Sequence, residues 1–485
     1  MAAGECKILD INHMDKDAKM VIFGAGMYGK ELYAYLRMKG ISKQVISFMV
    51  SNKRDNPDNI DLVPVKEVSQ LKEELKECVV LLAIGRTHAG EAISLLKDYK
   101  IKDLYGVTAN VMEQIVGEMA AEMKQFPLEP NKIFFSCYEG MGYRCNCKYI
   151  AQELIQGNYP VKMVWVVTNG NGGDIPEPIK KVEPYTPEYY RELYTSKICV
   201  TNNTGRLFGN KREGQYYINT WHGFGPFKKV QGSISINKDR LLEIKDANAK
   251  YDLFLTGSSF YSQVYRDSFF YEGEIYECGA PRNDVFFGEN GIKNEVYERF
   301  KIPADKKIAL YAPTFRTNLE NSFDQYDLDM EKVTEALHAR FGEAYVMMYR
   351  FHHHLYRLEK CGDYYRDGID ATYYPDVQEL LAAADVVITD YSSLMWDFSL
   401  QRKPVFLYQN DEADYKDDRG FYCPISQWPY PQARHMEELL EVIRDFDEEG
   451  YRRKLDEFLR KYGSRDDGKA SLRAAEKIME VIKDG

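Results

Sequence analysis

From residue 131 onward the chain repeats one pattern, and that pattern restricts the fold more than any other feature. Short apolar runs (IFFS, VKMVWVV, KICVTN, YYINTW, YDLFLTG, IYECG) are separated by stretches of helical period such as CKYIAQELIQ. Strands that alternate with helices pair in parallel, because each connection crosses the sheet through a helix. The cycle restarts after Pro303 with KKIALYAPT, YVMMYRFH, ATYYP, DVVITDYSS and KPVFLYQ. Two such blocks in series predict two Rossmann-like domains facing each other across a cleft. Upstream, KMVIFGAGMYGKELYAYLRMKG reads as a strand over Met20 to Phe23, a glycine turn and a helix with Leu32, Tyr35 and Leu36 on one face. Further strands over Val45 to Val50 and Val79 to Ile84 complete a small doubly wound α/β domain. The fold class is therefore α/β, with expected units at 1–110, 111–300 and 301–485. Residues 107–128 are expected to form a helix ending at Phe126-Pro127, because the residue before a proline resists the helical conformation. The charge-rich tail from Met436 to Lys483 is expected to be helical and to wrap the surface.

A length of 485 residues agrees with three units of about 150 residues each. Lysine plus arginine number 64 and aspartate plus glutamate 75, a net charge of −11 that argues against a general nucleic-acid binder. No run approaches the ~18 uncharged apolar residues of a spanning helix, and MAAGECKILDINHMDKDAK does not read as a secretory signal. A cytoplasmic protein is expected. The 9 cysteines are read as reduced thiols, since Cys137, Cys145 and Cys147 lack a second CxxC or a histidine pair to complete a zinc site.

Several motifs carry chemistry. Gly24, Gly26 and Gly29 follow a strand and open a helix, the setting of a dinucleotide turn. The acidic residue expected about twenty positions on is replaced by Val50-Ser51-Asn52, so a structural glycine turn is the stronger reading and a bound dinucleotide the lesser one. Asp327 and Asp329 have a metal-pair spacing, but they precede MEKVTEALHARF and read as helix caps. His222 ends a strand within TWHGFGPFKK, where a base is useful, and Lys228 and Lys229 follow as phosphate-attracting cations. Arg282, Thr314, Arg316, Arg350 and His352 also lie at strand ends, where open parallel sheets gather ligands. Ser392 and Ser393 stand at the start of the next helix, where hydroxyls and backbone N–H groups suit an anion; a plain serine cap satisfies the same geometry.

Taken in order, KIFFSCYEGMGYRCNCKYIAQEL, NTWHGFGPFKK, TGSSFYSQVYRDSF, ECGAPRNDVFF, LYAPTFR, YRFHH, VQELLAAADVVITDYSSLMWDFSLQRKPVFLYQNDEADYKDDRGFY and DDGKAS resemble the CDP-glycerol glycerophosphotransferase family, the teichoic-acid polymerases and primases. The resemblance spans about residues 131 to 475. It implies the two-domain glycosyltransferase B fold. It also implies that His222 is the catalytic base and that His352 stands near the donor phosphates, with His353 replacing the family's proline. Arg316, Ser392 and Ser393 match diphosphate-binding positions, while Glu379 and the Pro313-Thr314 turn fall where nucleoside contacts are expected.

The implied activity moves an alditol phosphate, glycerol phosphate first, from a CDP-alditol to a hydroxyl of an envelope polymer or lipid-linked acceptor, releasing CMP. No metal and no cofactor is demanded. Contact with the membrane is expected to be weak and peripheral, and the helix near Val111 to Met123 is expected to pack between units more than to face lipid. The alternatives are a nucleotide-sugar glycosyltransferase or epimerase of the same fold, and a non-catalytic envelope-assembly protein.

Overall fold

The computed structural model describes residues 6–54, 56–168, 170, 172–204, 211–234, 236–288, 291–314, 328–351, 368–411 and 420–484. Their strands form three sheets. The first runs in the order Lys7–Ile8, Asp103–Gly106, Val79–Leu82, Met20–Phe23, Val45–Val50, Val63–Glu67, Asn59–Ile60, parallel except for the last strand. The second is parallel throughout, in the order Lys180–Val182, Lys162–Val166, Glu129–Ser136, Ser196–Thr201, Tyr216–Asn219, Leu253–Leu255, Glu274–Tyr276. The third, also parallel, runs Ile369–Asp370, Ala344–Tyr349, Lys306–Tyr311, Val386–Thr389, Val405–Tyr408, Gln432–Ala433. Central strands such as Met20–Phe23, Val79–Leu82 and Val386–Thr389 are buried at every position, as parallel strands covered on both faces must be.

Between the first and second sheets stands the helix Ala109–Met123, capped by the Thr108 hydroxyl, which accepts from the Val111 N–H at 3.4 Å. Val111, Met112, Ile115, Met119, Ala120 and Met123 are buried, and the helix packs on Met27–Met38 and Pro187–Thr195. Its apolar stripe is thus spent on a joint between units rather than on lipid. Asp329 caps Met330–Phe341, accepting from the Lys332 N–H at 3.1 Å; Asp327 lies outside the described residues.

The tail departs from expectation at its last helix, Ala470–Asp484. Its Ala474, Ala475 and Ile478 share a core with Ile133, Phe135 and Trp165 of the second sheet, so this helix packs with the 111–300 unit and not with 301–485. Asp284 holds it there: one carboxylate oxygen accepts from the Ala470 N–H at 3.0 Å and the other from the Ser471 N–H at 2.6 Å, supplying negative charge to the helix start.

Candidate active site

The second sheet delivers His222 through a strained turn. Beyond Asn219 the Thr220 N–H donates to the Thr201 carbonyl at 2.7 Å, and Trp221 then takes φ +49°, the left-handed region that a bulky residue enters at a cost of ~1–3 kcal/mol. Two asparagines hold it. The Asn219 side-chain oxygen accepts from the Trp221 N–H at 2.8 Å, and the buried Asn146 amide donates to the Thr220 and Trp221 carbonyls at 3.1 and 2.9 Å.

The turn leaves His222 Nδ1 2.6 Å from the Asn202 carbonyl oxygen. A carbonyl can only accept, so Nδ1 carries the proton and Nε2 keeps its lone pair. Burial pushes the imidazole pKa down to about 4; the Asn202 bond opposes that fall and the Arg282 charge adds to it. The ring is therefore neutral at pH 7, with its tautomer fixed by the backbone. Trp221 and Tyr138 flank it, with centroids at 4.1 and 5.3 Å.

Arg282 links this turn to the third sheet. Its Nη1 donates to the His222 carbonyl at 2.6 Å and its Nη2 to Asp397 at 2.6 Å, in the helix Leu394–Ser399. The pair is 5% and 2% exposed, so both charges are desolvated and each depends on the other. The Asn283 amide donates to Asp397 at 3.1 Å, and the Gln378 amide donates to Asn283 at 2.8 Å.

The same helix start carries Ser392 and Ser393. A Cβ on Gly223 would lie 3.7 Å from Ser393 Oγ, so the loop bearing His222 sits directly against this serine. Ser393 is exposed and its side chain caps nothing; Ser392 Oγ accepts from the Leu394 N–H at a long 3.5 Å. Beside them, at the end of the neighbouring strand Lys306–Tyr311, the Pro313-Thr314 turn is clamped by Asp390, which accepts from the Thr314 N–H at 2.9 Å and from its hydroxyl at 2.5 Å.

Other expected residues take different places. Glu379 pairs with Lys148 and accepts from the Tyr374 hydroxyl at 2.7 Å, while Lys148 also meets Asp376 at 2.9 Å. This buried cluster joins the helices Cys145–Gln156 and Val377–Ala383, one from each half. Lys228 and Lys229 are half-buried in a segment that pairs with residues 420–423. There the Lys229 N–H donates to the Gly420 carbonyl at 3.1 Å, and the Tyr422 N–H to the Phe227 carbonyl at 2.8 Å. Arg350 donates to the Ala371 and Tyr374 carbonyls at 3.1 and 2.6 Å, and burial pushes its pKa down to about 10, with the Arg144 charge adding to that. Arg316, His352 and His353 lie outside the described residues. Gly24, Gly26 and Gly29 form the turn and helix start that follow Met20–Phe23 of the first sheet, apart from this cleft. Gly24 has φ +117°, and a Cβ on Gly29 would fall 1.9 Å from the Gly24 carbonyl oxygen. Among the described residues no group of three or more His, Cys, Asp or Glu could hold a metal ion.

Sequence reasoning does not single out Asn146, Asn202, Lys148 or Asp397, and it places Arg282 only near a strand end. Their partners are remote in the chain, and the only local signal is that polar residues interrupt apolar helices, as Asn146 and Lys148 do in CNCKYIAQELIQ.

The sequence model of the family described as CDP-Glycerol:Poly(glycerophosphate) glycerophosphotransferase matches residues 119–480. The teichoic acid poly(glycerol phosphate) polymerase of Staphylococcus epidermidis is 29% identical over 382 residues, 74% of this chain and 52% of that protein. The teichoic acid glycerol-phosphate transferase of Staphylococcus aureus is 27% identical over 376 residues, 72% of this chain and 94% of that protein. The chain thus spans about half the length of the first curated relatives it matches. The solved structure of the wall teichoic acid polymerase TagF superposes with a TM-score of 0.67 at 26% identity, covering 77% of this chain and 95% of that one. A histidine-to-asparagine variant of TagF soaked with CDPG gives the same values.

Proposed function

The chain belongs to the CDP-glycerol:poly(glycerophosphate) glycerophosphotransferase family, and from that premise we propose that it transfers an alditol phosphate, glycerol phosphate in the first instance, from a CDP-alditol to a hydroxyl of a cell-envelope polymer or lipid-linked acceptor, releasing CMP. The observation that carries this reading is the locked, neutral His222, whose Nε2 lone pair is free for a proton where the two halves meet. The acceptor hydroxyl gives its proton to Nε2 as its oxygen bonds to the phosphorus bearing the alditol. The bond from that phosphorus to the bridging oxygen breaks, and CMP leaves with the electron pair. A positioned base contributes ~10²–10⁴-fold to such a step. Ser392 and Ser393, with Arg316 and His352, are assigned the charge that develops on the phosphates. The acceptor half is placed in 111–300 together with the last helix, and the donor half in the remainder of 301–485.

On this reading the chain works in the cytoplasm, and contact with a membrane that carries the acceptor is peripheral. In support, no helix among the described residues is long and apolar enough to cross a membrane. The test is CMP release from CDP-glycerol and CDP-ribitol with and without a polymer acceptor. Acceptor-dependent CMP release supports the reading; UDP release from a UDP-sugar, with none from either CDP-alditol, overturns it.

A further inference from the structure

A cavity of about 630 Å³ opens on the first sheet, away from the transferase cleft. Its walls are the carboxyl ends of three adjacent strands: Gly24 after Met20–Phe23, Val50 to Asn52 after Val45–Val50, and Ala83 to Gly85 after Val79–Leu82. The chain steps from the first of these strands to its neighbour on one side and later returns to the other side. Such a reversal of strand order is where open parallel sheets bind ligands.

Two helices aim their N-termini at this space, Met27–Met38 from Gly26 and Arg86–Leu96 from Gly85. Neither start has a side-chain cap and neither carries an acidic residue in its first turn, so the first-turn N–H groups and the positive ends of both dipoles face the cavity; the exposed Glu91, in the second turn of Arg86–Leu96, also lines it. A Cβ on Gly26 would meet no atom within 4 Å, so the approach to these amides is open. Phe23, Val50, Ala92 and Leu95 supply apolar wall beside the anion-seeking end. The volume lies within the ~300–1,000 Å³ of small-molecule sites and greatly exceeds what a lone phosphate needs.

We propose that this cavity is a second nucleotide site, which takes a nucleoside diphosphate with the diphosphate on the two helix starts and the base against the apolar wall. The strand end Val50-Ser51-Asn52 offers no carboxylate to a ribose diol, and the Asn52 side-chain oxygen already accepts from the Arg54 N–H at 2.8 Å. At this strand end, where dinucleotide sites grip the ribose, recognition therefore has no carboxylate to use and rests on the diphosphate and the base; among the described residues the lining carboxylate is Glu91, on the helix Arg86–Leu96.

The test is titration calorimetry of the full chain with ADP, GDP, UDP and CDP, comparing wild type with Gly26→Asp. Gly26 has φ −84° and room for a side chain, and aspartate is a favoured cap, so the variant keeps its fold and its melting midpoint does not fall. Its carboxylate occupies the amides and repels the diphosphate. The expected result is that at least one diphosphate binds wild type and loses ~10-fold or more in affinity in Gly26→Asp. CMP release at the transferase site is expected to remain unchanged. Ser51→Asp, at the opposite wall, is expected to give the same loss. The proposal is overturned if none of the four binds, or if every one that binds does so equally well to wild type and both variants, since the transferase cleft alone then holds nucleotide. A failure of the glycerophosphotransfer reading would instead appear in CMP release, independently of these affinities.

Discussion

Arg282→Ala separates fold from chemistry at the junction of the two halves. The substitution removes the donor to the His222 carbonyl and leaves Asp397, 2% exposed, with only the Asn283 and Gln378 amides. Breaking a buried pair by deleting one partner costs ~3–5 kcal/mol. Burial already holds the Asp397 carboxyl above its ordinary range, against the pull of Arg282, Asn283 and Gln378, and losing Arg282 raises it further. A carboxyl whose folded pKa exceeds its unfolded value favours the fold while protonated. Wild type shares part of that penalty, so the deficit of the variant is smallest in acid and grows as pH rises from the wild-type folded pKa toward the variant's higher one, by ~1.4 kcal/mol for each pH unit that separates these two folded values. Urea denaturation of wild type and variant at acidic and at alkaline pH measures this directly. The double substitution Arg282→Met with Asp397→Leu is expected to recover most of the stability, because an apolar pair of similar volume replaces a buried ion pair at little cost. Turnover is not expected to recover, because the loop bearing His222 still lacks its anchor. A pH-independent loss below about 1 kcal/mol, or full turnover in the double variant, would refute this reasoning.

Two further substitutions address the neighbouring supports. Asn146→Ala strips the donors from the Thr220 and Trp221 carbonyls, so the strained turn relaxes; a stability loss of ~1–3 kcal/mol and a fall in kcat are expected, with CDP affinity by calorimetry kept. Lys148→Met leaves Asp376 and Glu379 facing each other without their shared cation, at ~3–5 kcal/mol; since that cluster joins the two halves, KM for the CDP-alditol is expected to rise more than kcat falls.

The parallel sheets were legible because their central strands are continuous apolar runs, as in VVIT and MVIF, and because glycine or serine turns follow them. Edge strands such as Lys7–Ile8 and Asn59–Ile60 were not legible: two residues, largely exposed, leave no pattern to read. The helical tail was recognisable from its period, but an amphipathic stripe shows that a face is buried without showing what covers it. The return of Ala474 and Ile478 to the second sheet depends on Asp284, nearly two hundred residues earlier. His222 stood out because glycines and a strand end surround it. What fixes its tautomer and leaves the Nε2 lone pair available is the Asn202 carbonyl, a backbone group with no signature in the sequence, and Arg282 and Asp397 find each other only once both halves have folded.

His222 acting as a neutral base through Nε2 is measured most directly by the pH dependence of CMP release from CDP-glycerol, with acceptor, in wild type and His222→Ala. A base must be unprotonated to work, so wild-type kcat/KM is expected to stay level from alkaline pH down through neutrality and to fall only as pH approaches about 4. The alanine variant is expected to lose ~10²–10⁴-fold in turnover, together with that acid limb, while binding CDP as tightly as wild type. An acid limb at the ordinary histidine value near 6.5, or an alanine variant within a few-fold of wild type, would contradict it.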